Sequence, residues 1–260
     1  MITDLLIQNK DGYTGLMAAV DRNDIAEVKN ILDMATHLNV SKDLIDTVTL
    51  EGKGSLYQAS WKGFHEICKV LLDSNCDPDL CEKDGRSPLY KASGEGHSTV
   101  VETLVNCKAS IDQPMNDGTT PLIIASQNGH FPVVGTLIIS GADPFIGKDD
   151  GATALYQAAL RGNTKVVKML LSTGVPLTHK SFQNKTILHG AARGNRIETA
   201  KYILQQDRDN EVVNDRRNDY NASPLTLAIQ FDGQLQMVKT LIQYNAFTFS
   251  RNEQCCCQYF

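Results

Sequence analysis

The sequence predicts an all-α fold, a solenoid of stacked helix-turn-helix units, and three observations carry that prediction. A leucine recurs at Leu16, Leu56, Leu89, Leu122, Leu155, Leu188 and Leu225, and the middle five stand 33 residues apart throughout. An alanine lies three residues after each of them, at Ala19, Ala59, Ala92, Ala125, Ala158, Ala191 and Ala228. Only a small side chain fits where stacked helices approach at that point. A pair of aliphatic residues follows about fifteen positions after the leucine, as in Leu71-Leu72, Leu104-Val105, Leu137-Ile138 and Leu170-Leu171. Self-similarity at a fixed period of this size marks an array whose units bury a core only by stacking on their neighbours.

The stretch from Asp117 to Asp149 shows the unit most clearly. Thr120-Pro121 supplies a side-chain acceptor at an N-cap and, at the first helical position, a residue with no N–H and a preset φ. A helix is expected to start there, to pack with Leu122 and Ala125, and to end at Gly129, which can take the left-handed conformation. Pro132 lies at the start of a second helix with Val133, Val134, Leu137 and Ile138 as its apolar stripe, stopped by Gly141. Two such helices bury almost nothing alone. The pattern D-G-x-T-P-L-x-x-A-A-x-x-G-H-x-x-V-V-x-x-L-L-x-x-G-A-D, recurring in about seven copies over residues 11–246, resembles that of ankyrin repeat proteins. The resemblance implies L-shaped repeats with short β-hairpin fingers. It also implies a non-enzymatic protein-interaction module that holds its partner on a concave face lined by fingers and first helices.

In chain order, residues 1–10 precede the array and are expected to cap it, with Leu5 and Leu6 over the open end. Repeat one begins at Asp11, with Thr14-Gly15-Leu16 at its helix start and Asn23 where later turns have glycine. An insertion near 33–53 then stretches the step from Leu16 to Leu56 to 40 residues. It is expected to be a longer helix end and finger loop. Repeat two starts at Glu51, and repeats three to five, at Asp84, Asp117 and Asp150, are the most regular. Repeat six begins near Gln183, with Asn184 at the glycine of the opening turn and a one-residue shift around Arg193-Gly194-Asn195. A second insertion, near 205–221, is rich in Asp, Asn, Arg and Glu and is expected to be a solvated loop. Repeat seven, Ser223 to Asn245, carries Gln230, Gln234, Gln236, Lys239 and Gln243, a polar surface suited to a C-terminal cap. Residues 247–260 form a cysteine-rich tail.

Composition narrows the chemistry. The net charge of −5 disfavours nucleic acid, which demands clustered Lys and Arg. The N-terminus has neither a basic region nor an apolar core, and no stretch approaches the length of a membrane span. Seven cysteines without paired metal-like spacing point to reduced thiols in the cytoplasm. No catalytic constellation, zinc signature or phosphate loop is legible, so no enzyme, no cofactor and no metal are expected. His97 and His130, at the Gly-His position, and His189, after the repeat-six leucine, are read as structural. So are Tyr57, Tyr90 and Tyr156, at the equivalent of His189.

Function is therefore sought at variable positions. These include the two residues before each turn glycine and the finger residue after the motif glycine: Tyr13, Lys53, Arg86, Thr119, Ala152, Lys185 and Ala222. Trp61 is the single tryptophan, and Trp and Arg dominate interface energies. The expected contact patch is Trp61, Lys62 and Arg86, extended by Arg161, Lys185 and Arg193, and its cationic character favours an acidic protein or peptide partner. The chain is expected to be monomeric. A regulatory inhibitor that occludes a partner's functional surface is the alternative reading. The terminal Cys257-Gln-Tyr-Phe resembles a prenylation signal, with Cys255 and Cys256 as acylation sites. Gln258 and Tyr259 are not the usual small aliphatics, so an unmodified tail stands beside a lipidated one; the membrane is a partner only in the second case.

Overall fold

Short helices joined in pairs by tight turns make up the computed structural model, which describes residues 7–216, 219, 221–230 and 234–246. The chain divides after Ala154 into two units. In the first, α1 (Gly15–Asp21) pairs with α2 (Ile25–His37), followed by a short α3 (Ser41–Ile45). Then come α4 (Ser55–Lys62) with α5 (His65–Asp73), α6 (Pro88–Glu95) with α7 (Ser98–Asn106), and α8 (Pro121–Asn128) with α9 (Phe131–Ile139). The second unit holds α10 (Ala154–Arg161) with α11 (Thr164–Ser172), a 3-10 turn at Phe182–Asn184, α12 (Ile187–Arg193) with α13 (Ile197–Gln206), and α14 (Pro224–Gln230) with α15 (Leu235–Gln243). The fold class is the one the sequence predicts.

The local signals act as expected. The Ile123 N–H donates to Thr120 Oγ1 at 3.3 Å, and Gly129, at φ 81°, closes α8. First helices stack on first helices, α4 on α6 and α6 on α8, and α12 on α14. The recurring leucines and alanines lie in those contacts: Leu16, Leu89, Leu122 and Leu188, and the alanines from Ala19 to Ala191, are fully buried. Two turns that lack the glycine of the other repeats hold asparagine in the left-handed region, Asn23 at φ 56° and Asn184 at φ 56°. In the sixth pair the left-handed residue is Asn195, at φ 53°, one place beyond Gly194.

The fingers are hairpins reduced to isolated bridges, Val48 with Gly54, Gly147 with Thr153 and Ser181 with Lys185. In the first unit each finger leans on the one before through one backbone bond. The Leu50 N–H donates to the Asp11 carbonyl at 3.0 Å, Lys83 to Glu51 at 3.2 Å, Asn116 to Asp84 at 2.9 Å and Asp149 to Asp117 at 3.0 Å.

The first insertion supplies the expected longer helix end but adds more than a loop, and the second differs from expectation. The first lengthens α2 to 13 residues and adds α3, whose Leu44 and Ile45 are completely buried. Downstream, the Asp46 carboxylate accepts the Asp77 N–H at 3.0 Å. The extra residues are thus core as much as loop. The second insertion buries Val212 and Val213. Asp207 holds them: its carboxylate accepts the N–H groups of Glu211 at 2.9 Å, Val212 at 3.1 Å and Val213 at 2.9 Å. A polar run with one apolar pair is anchored rather than solvated, because a charged acceptor organises its backbone. The cap residues Leu5 and Leu6 lie outside the described residues, and Gln234, expected on a polar cap surface, is buried.

Candidate functional site

Trp61 sits in the last turn of α4, two residues before Gly63, whose φ of 74° ends the helix. Its side chain is 44% exposed. The Lys91 ammonium lies 5.1 Å from the ring centroid and is itself paired with Glu95 at 2.8 Å. The Trp61 carbonyl accepts a hydrogen bond from His97 Nε2 at 3.0 Å. The backbone that carries the indole is thus tied to the next repeat, and the ring is half exposed beside Lys91. Lys62 is exposed but engaged, with Nζ 2.9 Å from Asp21 Oδ1 and 3.1 Å from the Asp21 carbonyl.

The finger position after the motif glycine faces inward more often than expected. Its carbonyl closes the hairpin, accepting from the N–H four residues earlier: Thr49 to Lys53, Glu82 to Arg86, Met115 to Thr119, Lys148 to Ala152 and Ser181 to Lys185. Thr119, Ala152, Lys185 and Ala222 are accordingly buried. Arg86 is half-buried, with Nη1 2.9 Å from Glu82 Oε1 and Nη2 3.3 Å from Asp84 Oδ2. The Glu82 side chain is 7% exposed, so this arginine neutralises a buried carboxylate across its own hairpin. Lys185 is 5% exposed and donates to Gln183 Oε1 at 2.7 Å. Burial, and then Arg193 nearby, hold its ammonium below the usual lysine range. The expectation that Lys185 lines an exposed groove is thereby corrected.

In the second unit Arg161 and Arg193 are exposed. Arg161 borders an open groove of about 480 Å³ with Arg196, Lys201, Glu198 and Gln236 around it. Lys201 lies 3.2 Å from Glu198, and Arg196 Nε donates to the Leu160 carbonyl at 3.1 Å. Sequence reading missed Arg196. It makes the bond that His97 makes to Trp61, and that His130 Nε2 makes to the Gly94 carbonyl at 2.9 Å, each from the residue before a second helix. Lining it up with those histidines was the signal available.

Burial makes the tyrosines weaker acids, pushing the pKa values of the Tyr57 and Tyr90 hydroxyls above the normal tyrosine range. Both rings are buried, as a packing role requires. Among the described residues no group of three or more His, Cys, Asp or Glu could hold a metal ion, and no helix is long and apolar enough to cross a membrane. Cys255, Cys256 and Cys257 lie outside the described residues.

The family description "Ankyrin repeats" matches this chain three times, over residues 56–147, 132–214 and 155–252. Among solved structures, the crystal structure of the human ASB11 ankyrin repeat domain is similar, with 23% sequence identity, 77% of this chain and 87% of that chain covered, and a TM-score of 0.67. At that identity the likeness concerns the fold. Comparison with curated proteins gives no match.

Proposed function

Because the chain belongs to the ankyrin repeat family, whose repeats are general protein-interaction modules, we propose that it binds a protein or peptide through exposed side chains at the ends of its first helices, without catalysis of its own. The observation that carries this reading is Trp61: a large, half-exposed ring flanked by the Lys91 ammonium, on a backbone whose carbonyl is tied to His97. An exposed aromatic with few rotatable bonds loses little side-chain entropy on binding and suits an interface anchor. In the second unit, Arg161 and Arg193 offer charge that an acidic segment would complement, helped by Arg196 along the groove. Lys62 and Arg86 contribute less, because Asp21 and Glu82 already face them.

Trp61 is also the one tryptophan, so its emission reports directly on its surroundings. A protein captured from native extract by the wild-type chain should shift that emission, and Trp61→Ala should abolish capture at an unchanged melting temperature. Arg161→Ala with Arg193→Ala should weaken capture and flatten its salt dependence. Capture that survives Trp61→Ala defeats the anchor, and capture indifferent to salt defeats the acidic partner. Arg86→Ala is a poor probe, since it strands Glu82 and perturbs the fold itself.

A further inference from the structure

Charge is unevenly placed in this acidic chain. Residues 155–206 hold eight Lys and Arg against one acid, Glu198, while the chain as a whole carries −5. Two of the eight are engaged within the fold: Lys180 pairs with the buried Asp215 carboxylate, and Lys185 is itself buried. Arg161, Lys165, Lys168, Arg193 and Arg196 are exposed. An asymmetry of this size within one stretch points to an anionic partner.

The position before each turn glycine shows where that charge is unopposed. There Lys62 pairs with Asp21 at 2.9 Å, Glu95 with Lys91 at 2.8 Å, and Asn128 Nδ2 donates to the Gly94 carbonyl at 2.8 Å. Arg161 holds the same place before Gly162, yet among the described residues no carboxylate pairs with it. Arg196 borders the same groove, its side chain lying over Gly162, where an added Cβ would meet Cδ at 2.7 Å. The Leu160 carbonyl accepts from its Nε at 3.1 Å, which uses one of five N–H donors, and no described carboxylate pairs with it either. The single acid of the groove, Glu198, is already matched by Lys201 at 3.2 Å. A carboxylate carries one charge and answers one guanidinium, whereas a phosphate monoester carries nearly two and offers three terminal oxygens to two planar forks. A concave site of about 480 Å³ admits one inserted group, while a membrane presents a plane. We propose that the groove between the end of α10 and the start of α13 binds a phosphorylated serine or threonine of a partner segment, with Arg161 and Arg196 holding the phosphate. This deepens, and rests on, the reading that the second unit meets an acidic segment.

The test uses the full chain, immobilised, and three peptide libraries of random sequence around a fixed phosphoserine, serine or glutamate. At pH 7.5 the phosphoserine library should be captured about tenfold more than the glutamate library, with preferred residues beside the phosphate. Capture should fall as the pH drops through about 6, where the phosphate takes up its second proton. Arg161→Gln changes an exposed side chain, and Arg196→His keeps the bond that His97 and His130 make at this register while removing the guanidinium. Each should lower phosphoserine capture about tenfold at an unchanged melting temperature. Equal capture of the glutamate library overturns the phosphate and leaves the acidic-segment reading standing. Capture of neither library overturns the groove as a site, and the Trp61 experiment then decides the interaction module separately. A captured pool without flanking preference overturns the peptide in favour of phosphate alone. Sedimentation with phosphatidylserine vesicles that both variants abolish overturns it in favour of a membrane.

Discussion

Acid should loosen the second unit through one imidazole. His189 is buried in α12, where its Nε2 donates to the Ala222 carbonyl at 3.0 Å and its Nδ1 accepts the Thr186 N–H at 3.2 Å. A proton on Nδ1 would point at that N–H. Burial pushes the ring's pKa down to about 4, against the upward pull of the Ala222 carbonyl. The unfolded chain takes its proton near the ordinary value of about 6.5. Between those two values the unfolded state binds more protons than the folded one, so stability is intact above about 6.5 and falls as the pH drops toward 4. The two titrations make this loss about 2 kcal/mol between pH 7 and pH 5, approaching about 3 kcal/mol at pH 4. His189→Gln keeps a donor and an acceptor in place and removes the titration. Urea unfolding of both chains at pH 7 and pH 5 checks the sum: the wild type should lose about 2 kcal/mol more than the variant. Parallel losses, or an imidazole that titrates near 6.5 in the folded chain, refute the reasoning.

Other consequences follow from close contacts. A Cβ built on Gly194 would stand 2.1 Å from the Leu160 carbonyl oxygen. Its φ of −80° is open to any residue, so the glycine is required for space alone. Gly194→Ala should cost about 2 kcal/mol or more by forcing α10 and α12 apart, read as a lower urea midpoint. Asp207→Ala strips the acceptor from three backbone N–H groups over Val212 and Val213; a loss of about 2 kcal/mol and faster amide exchange at 211–213 are expected, with the first unit untouched.

The framework was legible because each of its signals is local or periodic. Thr120-Pro121 caps its own helix, Gly129 turns in its own φ, and the alanine column repeats at the spacing of the stack. The insertions were opaque for the opposite reason. Leu44-Ile45 and Val212-Val213 are single apolar pairs in polar surroundings, and whether such a pair is buried depends on neighbours distant in sequence. The contact patch was half legible. Trp61 is exposed at the expected turn, but the pairing of Arg86 with Glu82 and the burial of Lys185 follow from a hairpin geometry that puts the residue after the glycine on the inner side.

The bonds between fingers in the first unit have a consequence for the history of the chain. Each donor is the residue before a motif, at Leu50, Lys83, Asn116 and Asp149, and each acceptor is the residue that opens one, at Asp11, Glu51, Asp84 and Asp117. Excising 84–116 would join Lys83 to Asp117 with both remaining bonds, Lys83 to Glu51 and Asp149 to Asp117, still in register. The shortened chain should fold with its finger bonds protected from exchange, whereas removing one residue fewer would leave a donor opposite the wrong carbonyl. Unequal crossing-over between gene segments could thus shorten or lengthen this part of the molecule in whole repeats without an unfoldable intermediate.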